Sequence, residues 1–495
     1  MLLIVKNKIA TLLFPSGSVS RRAMKGSFWL LLFRIFDQLF GFVKTMVLAR
    51  LLAPGDFGIF GIAIIAISLL ESFSQTGFFQ ALVQKTGDIK PYLGTAWVVQ
   101  VLRGITLAVL LFLAAPYVAS FFNTPPATLV LQIVSIAVLI RALENSAIVY
   151  FSKDLEFHKL FMYQVAGSVA DVAVSLGAVF LFQSVWALVL GYLAANVART
   201  VVSYLVCAFK PEWNFSLAKA KELTYFGRWI FAGNIVGFFI NQGESVFVGK
   251  LLGAVSLGFY QMAYKISSIL GIDIVAGAIF PAFSKIQNDR LRLKSAYLKT
   301  LQLLAFLFIP AAGGMVIVAS DFVSIFLGRQ WLPMVASLQM LVVAGVIWSF
   351  GTITGRLFQA LGKPKTNTMM GFARLVLLLI FVYPAIRYFG ITGAALAVLV
   401  SSSLAAIWYL IVSFRAMAFS WRDVVAAIGL PLANALVMIA GVFTIKLLVV
   451  SNPFSFFLYV VAGAAIYVLS SYLADKIFHG GMRTLLKECF WLLIR

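Results

Sequence analysis

About fourteen apolar runs, each long enough to cross a bilayer, follow one another along this chain, joined mostly by short loops. A helix needs roughly 20 apolar residues to span the hydrocarbon core. The runs are continuous and lack the strict alternation of a lipid-facing strand, so helices are expected rather than a barrel. Hydrophobic residues make up 62% of the 495 residues and the mean hydropathy is +1.00, against roughly 45–50% apolar residues in an average soluble domain. No aqueous fold hides that much apolar surface. Lipid is the expected solvent.

The runs fall at 26–49, 59–81, 93–121, 127–150, 160–182, 185–207, 225–249, 255–282, 297–319, 334–357, 368–388, 392–414, 424–448 and 453–475. With the N-terminus in the cytoplasm, the inner loops collect Lys85 and Lys90, Lys153 and Lys159, Lys210, Lys219 and Lys221. Further along the same side come Lys285, Arg290, Arg292 and Lys294, then Lys363 and Lys365, Arg415 and Arg422, and the basic tail. The loops at 122–126 and 183–184 carry no charge. This alternation predicts both termini inside, which agrees with an even number of crossings.

The net charge of +22 would suggest nucleic acid in a soluble protein, but charged residues are only 11% of the chain. Most of them flank apolar runs, where they hold helices to an anionic leaflet, so no nucleic acid is expected. The apolar stretch 9–14 is too short for a cleavable signal peptide core. Two cysteines, Cys207 and Cys489, support no disulfide framework, and two histidines, His158 and His479, build no metal site. No Walker A sequence and no G-x-S-x-G elbow occur, so neither ATP hydrolysis nor a serine hydrolase is expected.

An internal repeat organises the chain. Arg50-Leu51-Leu52 returns 200 residues later as Lys250-Leu251-Leu252, and at the same offset Trp29, Gly58, Phe60 and Ala63 match Trp229, Gly258, Tyr260 and Ala263. Six spans separate the copies, so both run in the same direction. The expected fold is therefore an all-α polytopic membrane protein with two parallel six-helix lobes and two added C-terminal helices. The corresponding segments are a cytoplasmic 1–25, a lobe at 26–207, a connector at 208–224, a lobe at 225–414, two helices within 415–475 and a tail at 476–495.

Charges within the spans are the features most indicative of function, because exposing one to lipid costs several kcal/mol. Arg34 and Asp37 are three apart on the first span and can pair, and Lys44 lies two turns further on the same face. Others are Glu71, Arg103, Arg141 with Glu144, Asp171, Arg199, Arg228, Glu244, Lys265, Asp273 and Arg374. Some of these are equally readable as helix-end anchors or register-fixing pairs. The repeat aligns Lys44 with Glu244, so the two lobes carry unequal charge. Gly233 and Gly237 form a small-xxx-small pair suited to close helix approach.

ARLLAPGDFGIFGIA at 49–63, GFFQALVQK at 77–85 and FPAFSKIQNDRLRLKSAYLK at 280–299, with the charged first span, resemble the polysaccharide exporters of the multidrug/oligosaccharidyl-lipid/polysaccharide flippase superfamily. The nearest resemblance is to the Wzx-like branch with the colanic and teichuronic acid exporters, over roughly residues 20–475. It implies a multi-pass bacterial inner-membrane flippase, not an enzyme, that moves polyprenyl-diphosphate-linked oligosaccharide for exopolysaccharide or capsule synthesis. Two lobes would enclose a V-shaped cavity. Arg34 and Lys44 would contact the diphosphate, with Arg103, Arg141, Arg228 and Lys265 as further candidates. Asp37, Glu71, Glu244 and Asp273 would serve ion coupling or gating, Glu244 foremost. By the same resemblance, spans 13 and 14 would form a side groove for the lipid tail, which here only their apolar character supports. Membrane lipids and a polysaccharide polymerase or export machinery are the expected partners. No cofactor is expected, and a proton gradient, a sodium gradient or removal of the glycan after flipping all stay open as the driving force. The alternatives are a multidrug/cation antiporter, a non-transporting scaffold that recruits enzymes through loops such as 283–296, and an enzyme acting on lipid-linked sugar.

Overall fold

The computed structural model describes residues 19–75, 77–85, 87–269, 273–417, 420–449 and 452–478. Every regular element among them is helical. Two compact units divide the chain, Met1–Gly258 and Phe259–Arg495.

The first unit opens with α1 (Val19–Leu51), α2 (Pro54–Ser72), the short α3 (Phe78–Gln84), α4 (Lys90–Phe121) and α5 (Ala127–Ala142). After a tight turn come the one-turn α6 (Val149–Lys153), α7 (Phe157–Phe182) and α8 (Trp186–Val206). It closes with most of α9 (Leu217–Ser268), which is broken at Gly253, a residue at φ 82° that is open to glycine and strained for any other residue. The second unit holds α10 (Asp273–Lys285), α11 (Arg290–Phe322), α12 (Val335–Ala360), α13 (Pro364–Met417), α14 (Trp421–Leu448) and α15 (Pro453–Phe478). Helix α13 breaks in the same way at Gly390, φ 60°.

Ten of these helices are long and apolar enough to cross a membrane, or eleven if the bent pair Ala127–Ala142 and Ser146–Lys153 is one span. The two glycine breaks each join two helical segments within one continuous helix.

Local sequence explains the turns. At the α1–α2 junction Pro54 takes the first helical position, where its missing N–H costs nothing. Asp56 accepts the Ala53 N–H at 3.0 Å through one oxygen and the Val185 N–H at 3.0 Å through the other, so one carboxylate caps α2 and anchors the start of α8. Below it, Leu48, Leu52, Val179 and Leu188 form a buried cluster. Lipid is as apolar as leucine, so burial alone does not drive these helices together. Close approach at small residues does. Gly58 packs with no room for a Cβ against the Ala254 carbonyl, and Gly258 does the same against the Pro54 carbonyl. By contrast, nothing lies within 4 Å of the Cβ positions of Gly233 and Gly237, so the expected close approach is not made there.

Candidate functional site: a charged cleft within the first unit

The cleft begins with a helix end whose last carbonyls have to be satisfied. Helix α5 stops at Ala142, and the chain bends by 65° before the turn Ser146–Ile148. The last carbonyls of a helix lack intrahelical donors and cannot be left bare in hydrocarbon. Side chains supply the donors here. Thr200 Oγ1 donates to Ile140 O at 3.0 Å and Tyr204 Oη to Leu143 O at 2.7 Å. Gln100 Nε2 donates to the Ala142 and Glu144 carbonyls at 3.0 and 3.2 Å. Asn145 fixes the bend: its Oδ1 accepts the Ala147 N–H at 3.0 Å and its Nδ2 donates to Phe209 O at 2.7 Å.

Against this bend lies a cleft of about 350 Å³, whose polar lining includes Glu71, Gln75, Gln100, Arg103, Arg141 and Glu144. Arg141 Nη1 binds Glu71 Oε1 at 2.8 Å, joining α5 to α2. Arg103 makes no ion pair among the described residues, but lies within electrostatic reach of both Glu71 and Arg141. Gly104 explains why two arginines share one cleft. A Cβ there would meet Ala142 Cβ at 1.9 Å, so glycine lets α4 and α5 touch and brings the neighbouring Arg103 and Arg141 to the same side. Behind them Glu144 sits among Tyr163, Arg141 and Arg199, with Oε1 buried and without a hydrogen-bond partner. Two arginines and two glutamates line the cleft, and it offers to an anion the Arg103 guanidinium, which has no ion pair among the described residues, and part of the Arg141 guanidinium.

A second polar seam joins α1 to α7. Lys44 Nζ pairs with Asp171 Oδ2 at 2.6 Å, and Ser175 Oγ donates to Asp171 Oδ1 at 3.1 Å. One turn and more towards the start of α1, Asp37 accepts the Ser168 hydroxyl at 2.6 Å. The expected Arg34–Asp37 pair is therefore replaced by contacts across helices, because Asp37 faces α7 while Arg34 is exposed.

The structure thus brings Glu71, Arg103 and Arg141 into one cleft, and puts Lys44 and Asp37 in a separate seam. Glu244 is buried at 2% exposure in α9, and Lys265 is exposed further along the same helix. Arg228 and Asp273 have side chains outside the described residues. Sequence reasoning did not assign a role to Gln100, Asn145 or Tyr204, although each is a polar residue at or inside an apolar run. In the second unit it passed over Asp321, which pairs with Lys446 at 2.5 Å between α11 and α14. Arg374, buried in α13, stacks its guanidinium 3.8 Å from the centre of the Trp348 ring. Among the described residues no group of three His, Cys, Asp or Glu side chains is placed to hold a metal ion.

These features define a multi-pass helical membrane protein in which ion pairs such as Lys44–Asp171, Arg141–Glu71 and Lys446–Asp321 join helices within each unit. The chain belongs to the polysaccharide biosynthesis protein family, whose model matches residues 47–336. It is 25% identical over 424 residues to the lipopolysaccharide biosynthesis protein WzxC of Escherichia coli (strain K12), covering 84% of this chain and 85% of that one. It is 23% identical over 351 residues to the teichuronic acid biosynthesis protein TuaB of Bacillus subtilis (strain 168), covering 70% and 73%. Among solved structures, lipid II flippase MurJ in an inward closed conformation superposes with a TM-score of 0.74 at 16% identity, over 90% of this chain and 99% of that one. An inward-facing multidrug resistance MATE family transporter gives 0.61 at 15%, over 77% and 94%. The shared feature at those identities is the fold.

Proposed function

We propose that this protein is a flippase that moves polyprenyl-diphosphate-linked oligosaccharide repeat units across the bacterial inner membrane for exopolysaccharide or capsule synthesis. The observation that carries the reading is the cleft in which Arg103, without an ion pair among the described residues, stands beside the Arg141–Glu71 pair, in a chain whose relatives are named for polysaccharide biosynthesis. A sugar–diphosphate head cannot enter hydrocarbon without a polar path, because an unpaired charge there costs far more than thermal energy supplies. Phosphate oxygens presented to Arg103 and Arg141 compete with the Glu71 carboxylate. Substrate binding and release of α2 from α5 would then share one ion pair, which links occupancy to conformation.

In this reading the chain crosses fourteen times with both termini in the cytoplasm. Helices α9 and α13 each supply two crossings, split at Gly253 and Gly390, and α10 continues the second crossing of α9. The protein acts as a secondary transporter or facilitated flippase rather than an enzyme. Glu244 is the carboxylate assigned to ion coupling, with proton and sodium both open.

The test is leaflet exchange of a fluorescent polyprenyl-diphosphate glycan in liposomes containing the purified protein, with imposed proton, sodium or no gradient. Exchange above protein-free liposomes supports the reading, and its absence for every lipid-linked glycan tried overturns it. The MATE-like fold favours one second reading, a cation antiporter. Uptake of cationic dyes without glycan exchange would establish that instead.

A further inference from the structure

A second cleft, of about 650 Å³, lies at the lysine-rich end of the first unit and shares no lining residue with the Arg103 cleft. Lys90, Tyr150, Phe151, Lys159, Phe209 and Lys210 line it, together with Glu156 and Glu212. Three membrane-crossing helices end around it: α4 begins at Lys90, α7 at Phe157, and α8 stops at Val206. The cleft therefore sits at the level where hydrocarbon gives way to headgroups. Lys159 is neutralised by Glu156 at 2.7 Å. Lys90 and Lys210 make no ion pair among the described residues, so three lysines against two glutamates leave one net positive charge.

The chain beside the cleft has a second property. Residues 207–216 contain no regular element and run as a strap across the bundle end. Thr95 holds the strap, its Oγ1 donating to Asn214 O at 3.2 Å and accepting the Ser216 N–H at 3.2 Å. Gly94 lets it lie close, since a Cβ there would stand 3.3 Å from both the Glu212 and Asn214 carbonyls. Trp213, Phe215 and Leu217 are each exposed, at 70%, 51% and 72%, with the Trp213 ring packed edge-on against Trp97. Facing water, three large apolar side chains in a row are a liability. At the interface, Trp is the favoured residue.

We infer that this cleft binds the phosphodiester headgroup of an anionic phospholipid, with Trp213, Phe215 and Leu217 seated in the adjoining interface. Its single net positive charge matches the single negative charge of a phosphodiester, and the aromatic and aliphatic lining matches the glycerol and first acyl carbons. The inference is independent of which glycan is carried.

Native mass spectrometry of the delipidated protein in detergent tests it, with phosphatidylglycerol, phosphatidylethanolamine and inorganic phosphate as probes. One phosphatidylglycerol per chain should be retained in preference to phosphatidylethanolamine. The Lys90→Gln/Lys210→Gln pair should weaken that retention roughly tenfold, whereas Lys90→Arg/Lys210→Arg should preserve it. A measurement that needs no charge variant uses brominated phosphatidylglycerol, which should quench the part of the fluorescence lost in Trp213→Phe. Equal retention of both lipids, or no loss in the glutamine pair, would overturn the proposal. So would complete displacement by inorganic phosphate, which would make the cleft a free-phosphate site. Absence of Trp213 quenching would remove the lipid interface from it.

Discussion

Gly58 lies against the carbonyl of Ala254, and two hundred positions along, its repeat partner Gly258 lies against the carbonyl of Pro54. Residues 54 and 254 occupy the same place in the two copies of the repeat. The contact is therefore reciprocal, each copy giving a glycine to the backbone of the other.

Adding one methyl group at either glycine should be costly. A Cβ at Gly58 would stand 1.7 Å from Ala254 O and one at Gly258 2.0 Å from Pro54 O, and backbone cannot rotate away as a side chain can. Gly58→Ala and Gly258→Ala should each destabilise the protein by about 1–3 kcal/mol. Gly233→Ala and Gly237→Ala, made where the space is open, should leave it unchanged or slightly stabilised. Melting of the four purified variants in detergent compares them directly.

The Lys44–Asp171 pair predicts non-additivity. Removing one member of a buried ion pair costs about 3–5 kcal/mol. The remaining side-chain exposure of 13% and 29% reduces that to about 1–3 kcal/mol here. Lys44→Ala and Asp171→Ala should each lower the melting temperature, and the double variant should lie closer to wild type than the sum of the two. Simple addition would mean that the pair contributes nothing as a pair.

Arg103 and Arg141 should matter for transport more than for folding. A hydrogen bond to a charged group is worth about 1.5–3 kcal/mol, so Arg141→Ala should reduce glycan export tenfold or more while membrane abundance is preserved. Glu71→Gln removes the competitor and leaves both guanidiniums free. It should tighten retention of a lipid diphosphate by the purified protein, and a weaker retention would put the substrate elsewhere.

At the lysine-rich end of the first unit, Lys85 pairs with Glu222 at 2.5 Å and Tyr92 Oη donates to the other carboxylate oxygen at 3.0 Å. These hydrogen bonds, from Lys85 first and Tyr92 second, hold the Glu222 carboxyl below its ordinary value of 4.5, and raise the Lys85 ammonium above 10.5. For a depressed carboxyl the added stability is present above the unfolded value and is lost as pH falls through the folded one. Wild type should therefore melt higher than Glu222→Gln at neutral pH, and the difference should be lost only as the pH falls below 4.5 and through the depressed value of Glu222. On the alkaline side the advantage should last to beyond the ordinary lysine range.

Much of the architecture was legible in the sequence. Continuous apolar runs specify helices in lipid, and the two-hundred-residue offset anticipated that Gly58 and Gly258 would be equivalent. The intramembrane charges Glu71, Arg103 and Arg141 were visible one by one. Their meeting was not, since it depends on Gly104 passing Ala142, a contact between helices that no local pattern encodes. For the same reason Asp37 looked like a partner for Arg34, three residues away, when Ser168, 131 positions on, was the group it faced. Helical periodicity places residues on a face of their own helix and leaves open which helix packs there. The breaks at Gly253 and Gly390 were placed at the right points as boundaries between runs, but the near-absence of a loop needs the positive φ to explain it.

Those one-residue breaks leave almost nothing protruding at the points where they occur. In the first unit the Leu52–Ala53 junction, the turn before Trp186 and the break at Gly253 alternate with lysine-bearing connections. The two ends of the helices are therefore unequal as targets. An antibody, a protease or an inserted epitope would find chain to engage at the end of the first unit with the connections around 85–90, 153–157 and 207–216, and at the other chiefly the uncharged turn 122–126.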